Sequence, residues 1–89
     1  MLRYSAIDDV IARANDSEFG LGASIWSSNV DRAFALAARI NSGTVWVNKH
    51  FDLAPNIPYA GARQSGIGTE LAREGLEAFT QATIINVAK

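Results

Sequence analysis

The segment from Thr44 to Asn48 constrains the fold more than any other part of the sequence. Its apolar side chains fall on both alternating faces, the pattern of an interior β-strand that is covered above and below. The chain has only 89 residues, and a domain of this size buries only about 60% of the surface that its unfolded chain exposes. The sequence therefore predicts that the strand needs cover on both faces and that the chain needs partners to supply part of it.

Helical and strand patterns alternate along the chain. The segments with helical apolar spacing are residues 7–14, 30–41 and 69–79, and those with strand character are residues 22–27, 44–48 and 82–87. This alternation of three helices with three short strands predicts an α/β fold with a partial parallel sheet. So few elements cannot easily cover both faces of their own sheet. We therefore expect one edge of a larger α/β domain, or a piece that associates with itself.

Composition excludes several classes of chemistry and partner. The sequence contains no cysteine, which excludes disulfides, thiolate metal sites and cysteine nucleophiles within this chain. Eight Lys and Arg residues are dispersed among nine Asp and Glu residues, so there is no basic stripe for nucleic acid. Apolar runs fall far short of the roughly 20 residues of a membrane helix, and no signal-peptide core is present. We expect a cytoplasmic chain without a membrane or nucleic-acid partner.

Sequence motifs for phosphate binding and hydrolysis are incomplete. Gly66–Gly68 lacks the third glycine of a dinucleotide-binding loop, and Gly20–Gly22 leads into a strand rather than out of one, so both are interpreted as turns. His50, Asp52 and Ser65 have the residue types of a hydrolytic triad, but Ser65 does not lie in a nucleophile elbow. His50 with one nearby carboxylate is also too few ligands for a metal site. A solvated loop is the preferred interpretation of these residues.

The long loop from Lys49 to Ile67 contains four apolar or aromatic residues whose exposure to solvent would be unfavourable. They are Phe51, Leu53, Ile57 and Tyr59. Long loops without regular structure are often functional, so these side chains could line an apolar pocket or the mouth of a tunnel. They could equally well pack the loop onto the core. Patterning alone leaves both interpretations open.

Three motifs resemble the C-terminal end of NAD(P)-dependent aldehyde dehydrogenases. They are GTVWVN at residues 43–48, PYAGARQSGIG at residues 58–68, and Glu70 followed by Gly75-Leu76. The resemblance extends to the helix at residues 8–11, the run at residues 19–24 and the final strand, so it covers essentially the whole chain. Tyr59, Ala60 and Arg63 stand where that family usually has Phe, Gly and Lys, which changes details of the pocket.

The resemblance implies oxidation of an aldehyde to a carboxylic acid. In that family a cysteine thiolate adds to the carbonyl, hydride passes to NAD or NADP, and a glutamate activates the water that releases the acid. The cysteine, the general base, the oxyanion-hole asparagine and the cofactor-binding domain all lie upstream of the matching segment. The resemblance therefore implies that residues 1–89 are the C-terminal portion of the catalytic domain, bind no cofactor alone and are inactive alone.

The resemblance also implies roles for particular residues. Phe51, Leu53 and Tyr59 are the positions expected to contact the aldehyde in the substrate tunnel, with His50 as a lesser candidate. Residues 82–87 are expected to join the oligomerisation sheet of a neighbouring subunit, since an unpaired edge strand tends to find a partner. The expected partners are the rest of the enzyme chain and the neighbouring subunits of a homo-oligomer. An alternative from a different class is a stand-alone, non-catalytic oligomerisation or interaction module, and the sequence does not decide between the two.

Overall fold

A computed structural model describes residues 1–88 of the chain. Within this range the helices are α1 (Ile7–Asn15), α2 (Val30–Ala37) and α3 (Ala72–Glu77). The strands are β1 (Phe19–Gly20), β2 (Gly22–Ile25), β3 (Thr44–Val47), β4 (Tyr59–Ala60), β5 (Ala62–Arg63) and β6 (Thr69–Glu70). The mixture of helices and small sheets confirms the predicted α/β class.

A β–α–β unit forms the centre of the fold. Strands β2 and β3 pair in parallel, from Gly22 opposite Thr44 to Ile25 opposite Val47, and α2 lies between them in the chain. Helix α2 begins where predicted because the Asn29 side chain accepts a hydrogen bond of 2.9 Å from the backbone N–H of Arg32. The parallel pairing expected from the alternating pattern is therefore present.

Two helices are shorter than their sequence patterns. Helix α2 ends at Ala37, and the following residues continue as a tighter turn, with the N–H of Arg39 donating to the carbonyl of Leu36 at 3.0 Å. Helix α3 starts at Ala72 rather than Thr69, because Thr69 and Glu70 pair with β4 instead. Helical periodicity marks the apolar face but does not fix the ends of a helix.

Four strands of two residues each hold the long loop in place, one pair joining it to the segment before β2 and the other to the residues before α3. Strand β1 pairs antiparallel with β5, with Phe19 opposite Arg63, and β4 pairs antiparallel with β6, with Tyr59 opposite Glu70. The sequence analysis did not predict these strands, because two residues are too few to show an alternating pattern. They divide the region that the sequence presents as one long loop into short, anchored turns.

The core within residues 1–88 is small. Its buried hydrophobic side chains are Ala33, with 0% exposure, and Trp46, with 4%. The radius of gyration is 17.9 Å, compared with about 12 Å for a compact domain of this length. The small core and the large radius of gyration both agree with the expectation that other parts of a larger structure cover some of the apolar surface of this chain.

Residues 82–87 belong to no strand within the described part of the chain. Ile84 and Ile85 are more than four-fifths exposed, at 87% and 82%. Pairing of this segment with a neighbouring subunit stays a prediction. None of the helices within residues 1–88 has the length and hydropathy needed to cross a membrane.

Candidate functional site

Trp46 is the centre of the candidate site. Its indole lies at the heart of the small core and donates a hydrogen bond of 2.9 Å from Nε1 to the carbonyl oxygen of Asp52. The ring can lie close to β2 because residue 22 is glycine, and a Cβ atom there would be only 2.7 Å from Cζ3 of Trp46. The strand that the sequence singles out thus places a buried ring under the start of the long loop.

The loop leaves β3 through Asn48, whose backbone is left-handed with φ of 55°. Its side chain accepts a hydrogen bond from the N–H of Ser27 and donates one to the carbonyl of Ser27, each at 2.8 Å. Asparagine tolerates this conformation better than most residues. Asn48 therefore fixes the direction in which the loop starts.

Phe51 has a strained backbone and an exposed ring. Its φ is 53°. This left-handed conformation costs a bulky residue on the order of 1–3 kcal/mol, and a residue keeps it only when the surrounding structure holds the backbone in place. Its ring is 60% exposed and lies edge-on to that of Tyr59, at 6.2 Å between centroids and 90° between planes. Strained backbone of this kind is concentrated at functional sites.

Four rings form one group, here called the aromatic cluster: Trp46, His50, Phe51 and Tyr59. The Trp46 centroid lies 6.3 Å from that of Phe51 and 6.4 Å from that of Tyr59, within the range of favourable aromatic contacts. The structure therefore brings two of the residues predicted to contact substrate, Phe51 and Tyr59, against each other and against the buried indole.

Leu53, the third predicted tunnel residue, lies beside the same cluster. It borders a small cavity of about 190 Å³ that Trp46 and Tyr59 also line, and its side chain is 38% exposed. Ile57, which the sequence also singles out, lines this cavity as well. Leu53 and Ile57 thus lie against Trp46 of the core, as one sequence interpretation expected. Contact of the loop with a substrate stays a prediction.

His50 joins the cluster through two contacts. Its Nδ1 shares a hydrogen bond of 2.6 Å with the hydroxyl of Ser24, and its ring lies nearly perpendicular to Trp46, with centroids 5.5 Å apart. These contacts hold the exposed ring of His50 against Ser24 of β2 and the indole of Trp46. Neither contact points to a ligand, so His50 is less informative than the two aromatic residues beside it.

The possible hydrolytic triad does not form. Whereas His50 pairs with Ser24, the carboxylate of Asp52 pairs with Lys49 Nζ at 2.6 Å, and the hydroxyl of Ser65 accepts a hydrogen bond of 2.9 Å from the N–H of Gly20. Each member has a separate partner. Among residues 1–88 there is also no group of three or more His, Cys, Asp or Glu residues able to hold a metal ion.

The glycines of this chain do not fit a dinucleotide. Gly22 is needed for packing against Trp46, and Gly66–Gly68 leads into a two-residue strand and a helix of only six residues. A pyrophosphate site needs a glycine-rich turn between a strand and the N-terminus of a substantial helix. Neither glycine pair therefore forms a dinucleotide-binding turn.

Sequence reasoning missed two features of this region. The first is Trp46 as the centre of the cluster, which an aromatic residue in a strand predicted to be covered on both faces could have indicated. The second is Arg63, whose guanidinium donates to the carbonyl oxygens of Asn15, Phe19 and Asn41. No signal in a single sequence identifies these three acceptors, because they are backbone atoms from distant segments.

Comparison with known proteins identifies a family. The model of the aldehyde dehydrogenase family matches residues 1–85. The mitochondrial aldehyde dehydrogenase of Leishmania tarentolae is 40% identical over 88 residues, which is 99% of this chain and 18% of that protein. The crystal structure of a Mycobacterium tuberculosis aldehyde dehydrogenase with NAD+ is 40% identical, with a TM-score of 0.81 over 88% of this chain and 16% of that one.

An aldehyde dehydrogenase structure from Bacillus cereus, also in complex with NAD+, is 36% identical, with a TM-score of 0.83. It is matched over 90% of this chain and 16% of its own. The chain thus spans less than one-fifth of the length of these relatives. The family model covers nearly all of the sequence and the fold agrees with solved members, so the resemblance noted in the motifs is confirmed. This chain belongs to the aldehyde dehydrogenase family.

Proposed function

We propose that this chain is the C-terminal part of an NAD(P)-dependent aldehyde dehydrogenase that oxidises aldehydes to carboxylic acids. Two findings support this proposal: the chain belongs to the family, and it covers less than one-fifth of the length of its relatives. Two of the similar structures are complexes with NAD+, which supports a nicotinamide cofactor for the complete enzyme. NAD and NADP are both compatible with the residues of this chain, since those residues do not form the cofactor site.

Within the complete enzyme, the segment lines the substrate tunnel with Phe51, Leu53 and Tyr59. The single observation that carries this assignment is the aromatic cluster, in which Phe51 has a left-handed backbone and a ring left 60% exposed. Many apolar side chains of this chain are exposed and await cover from the rest of the domain, but Phe51 combines its exposure with a strained, left-handed backbone. A surface that receives an apolar substrate supplies a reason for this combination.

The reactive groups come from the rest of the enzyme. With no cysteine in its sequence, this chain cannot form the covalent thiohemiacetal and is inactive alone. Its contribution is one wall of the tunnel, together with assembly through residues 82–87. The proposed partners are the remainder of the enzyme chain and neighbouring subunits of a homo-oligomer, and the proposed location is the cytoplasm.

Substitution of Tyr59 by alanine in the complete enzyme tests the tunnel assignment. The ratio of kcat/KM for a bulky aromatic aldehyde to that for a short aliphatic one should change by about tenfold, because a pocket contact of this size discriminates between substrates. The KM for the nicotinamide cofactor should not change. Tyr4→Ala is the matched control, since Tyr4 is 57% exposed and lies outside the cluster.

Steady-state kinetics with the two aldehydes measure both effects. An unchanged ratio in Tyr59→Ala would remove Tyr59 from the tunnel. A change of the same size in Tyr4→Ala would show that the effect is not specific to the cluster.

One observation favours the stand-alone interaction module as a second candidate function. Ile84, Ile85 and Val87 are all more than four-fifths exposed within the described chain, as expected for a segment that pairs with another molecule. The coding sequence upstream of Met1 distinguishes the two candidates. An open frame that encodes a cysteine active-site motif favours the enzyme, whereas a stop codon followed by a start signal favours the module.

A further inference from the structure

We infer that Arg63 is a positioning residue that sets the place of Tyr59 in the wall of the substrate tunnel. The inference rests on the proposed role of Tyr59 and adds a residue that does not itself belong to the aromatic cluster. It follows from what the guanidinium of Arg63 binds and from how closely β5 is joined to β4.

The guanidinium gathers three backbone carbonyls from three separate segments. Nη1 donates to the carbonyl of Asn15 at 2.5 Å, and Nη2 donates to those of Phe19 and Asn41 at 2.8 and 2.9 Å. Asn15 is the last residue of α1, where unpaired carbonyls carry partial negative charge and attract a cation. A guanidinium suits this arrangement because it presents several donors in one rigid plane.

The backbone of Arg63 is held as firmly as its side chain. Its φ of 55° is a left-handed value that costs a non-glycine residue free energy. Arg63 pairs with Phe19 across β1 and β5. The next residue, Gln64, donates a hydrogen bond of 2.9 Å from its N–H to the carbonyl of Glu18, which also holds this strand. The side-chain bonds to the carbonyls therefore help to offset backbone strain.

Arg63 is coupled to Tyr59 through a short and tightly packed path. Only Gly61 separates β5 from β4, the strand that contains Tyr59. The carbonyl of Ala60 packs directly against Gly43, where a Cβ atom would come within 1.7 Å of that oxygen. Ala60 therefore has no room to shift toward Gly43, and Gly61 alone joins it to β5. We expect a change in the placement of β5 to be passed through this short link to β4 and to alter the angle of the Tyr59 ring.

Two of the three acceptor residues, Asn15 and Asn41, are also joined to each other without Arg63. The side chain of Asn15 donates to the carbonyl of Arg39 and accepts from the N–H of Asn41, both at 2.8 Å. This pair of bonds ties the end of α1 to the segment after α2 independently of the guanidinium. Removal of the Arg63 side chain should therefore loosen β5, which keeps its backbone pairing with β1, while leaving the β–α–β unit assembled.

The experiment compares Arg63→Met, Arg63→Lys, Tyr59→Ala and the double variant Arg63→Met/Tyr59→Ala in the complete enzyme. Each is assayed for kcat/KM with a bulky aromatic and a short aliphatic aldehyde, for KM of the cofactor, and for thermal stability. Arg73→Met is the matched control, because Arg73 is exposed and its side chain pairs with Glu77 at 2.7 Å on the surface of α3.

Arg63→Met should change the ratio of the two kcat/KM values in the same direction as Tyr59→Ala, by about fivefold, the size expected for coupled neighbours. Arg63→Lys should give a smaller change, since it keeps the charge but loses the planar set of donors. The double variant should show no larger change than Tyr59→Ala alone, because Arg63 acts through Tyr59. Arg73→Met should leave the ratio unchanged.

A purely structural role would lower both kcat/KM values in proportion and leave their ratio unchanged, and that result would overturn the inference. Additive effects in the double variant would also overturn it. If Arg63→Met does not fold, Arg63→Lys decides the question by the same ratio. An unaltered ratio in Tyr59→Ala would refute the proposed function and the Arg63 inference with it. If Tyr59→Ala changes the ratio but neither Arg63→Met nor Arg63→Lys does, the inference alone is refuted.

Discussion

At the scale of single residues, Trp46 and Asn48 decide how the long loop begins. Trp46 is buried and holds the backbone of Asp52, and Asn48 turns the chain out of β3 while binding the backbone of Ser27. Phe51, with its left-handed backbone and exposed ring, lies between Asn48 and Asp52, the two loop positions that these contacts hold. The candidate site is therefore fixed by residues that would not themselves contact a substrate.

Gly22→Ala should destabilise the complete enzyme by about 1–3 kcal/mol, the usual cost of overfilling a packed site. The added methyl group would lie 2.7 Å from the ring of Trp46, which is buried and has little room to move. Thermal unfolding measures the effect as a lower Tm. Gly68→Ala is the control, because a Cβ atom there meets no other atom within 4 Å, and equal Tm values for the two variants would contradict the packing argument.

At the scale of elements, the smallest strands have the largest influence on the site. Strands β4, β5 and β6 contain two residues each, yet they divide the long loop and place Tyr59 and Arg63. Residues 82–87 show the opposite behaviour, since their β-branched sequence has strand character but they form no strand within the described chain. A strand needs a partner for its hydrogen bonds, so that segment depends on what lies beside it.

Ile84→Asp should reduce the size of the assembly formed by the complete enzyme. A charge placed in an apolar interface is costly to bury, and Ile84 is 87% exposed in the isolated chain and thus available to a neighbour. Size-exclusion chromatography with light scattering measures the mass. Ser28→Asp adds the same charge at an exposed position outside residues 82–87, and assemblies of equal mass for both variants would rule out the proposed role of this segment.

At the scale of the whole molecule, the chain is elongated, with extents of 67 × 25 × 24 Å. A chain of 89 residues that buries few side chains leaves much of its apolar surface to be covered by other parts of a larger structure. Its short span of each relative agrees with that arrangement. The shape and the partial coverage of the relatives are both compatible with the proposal that the chain is one part of a catalytic domain.

The purified 89-residue chain should form no NADH or NADPH when it is mixed with aldehyde and cofactor. It has no cysteine to attack the carbonyl, and neither of its glycine pairs forms a dinucleotide-binding turn. Absorbance of the reduced cofactor measures turnover, with the complete enzyme as the positive control. Aldehyde-dependent turnover by preparations of the chain free of other proteins would contradict the proposed division of labour.

The sequence by itself determined the elements whose signals are local. Short apolar runs specified β2 and β3, the side chain of Asn29 specified the start of α2, and the absence of cysteine excluded the nucleophile. The motifs at residues 43–48 and 58–68 were enough to recognise the family, which the comparisons confirm. Each of these signals is contained in a few neighbouring residues.

The tertiary structure alone decided the arrangement of the site. It brought Phe51 and Tyr59 into contact with each other and with Trp46, gave His50 a partner in Ser24, and placed the guanidinium of Arg63 among the carbonyls of three segments. Residues up to 48 positions apart make these contacts, and many of the acceptors are backbone atoms that every residue possesses. Their identity follows from how the chain is folded in space, because backbone carbonyls leave no mark in the pattern of side chains.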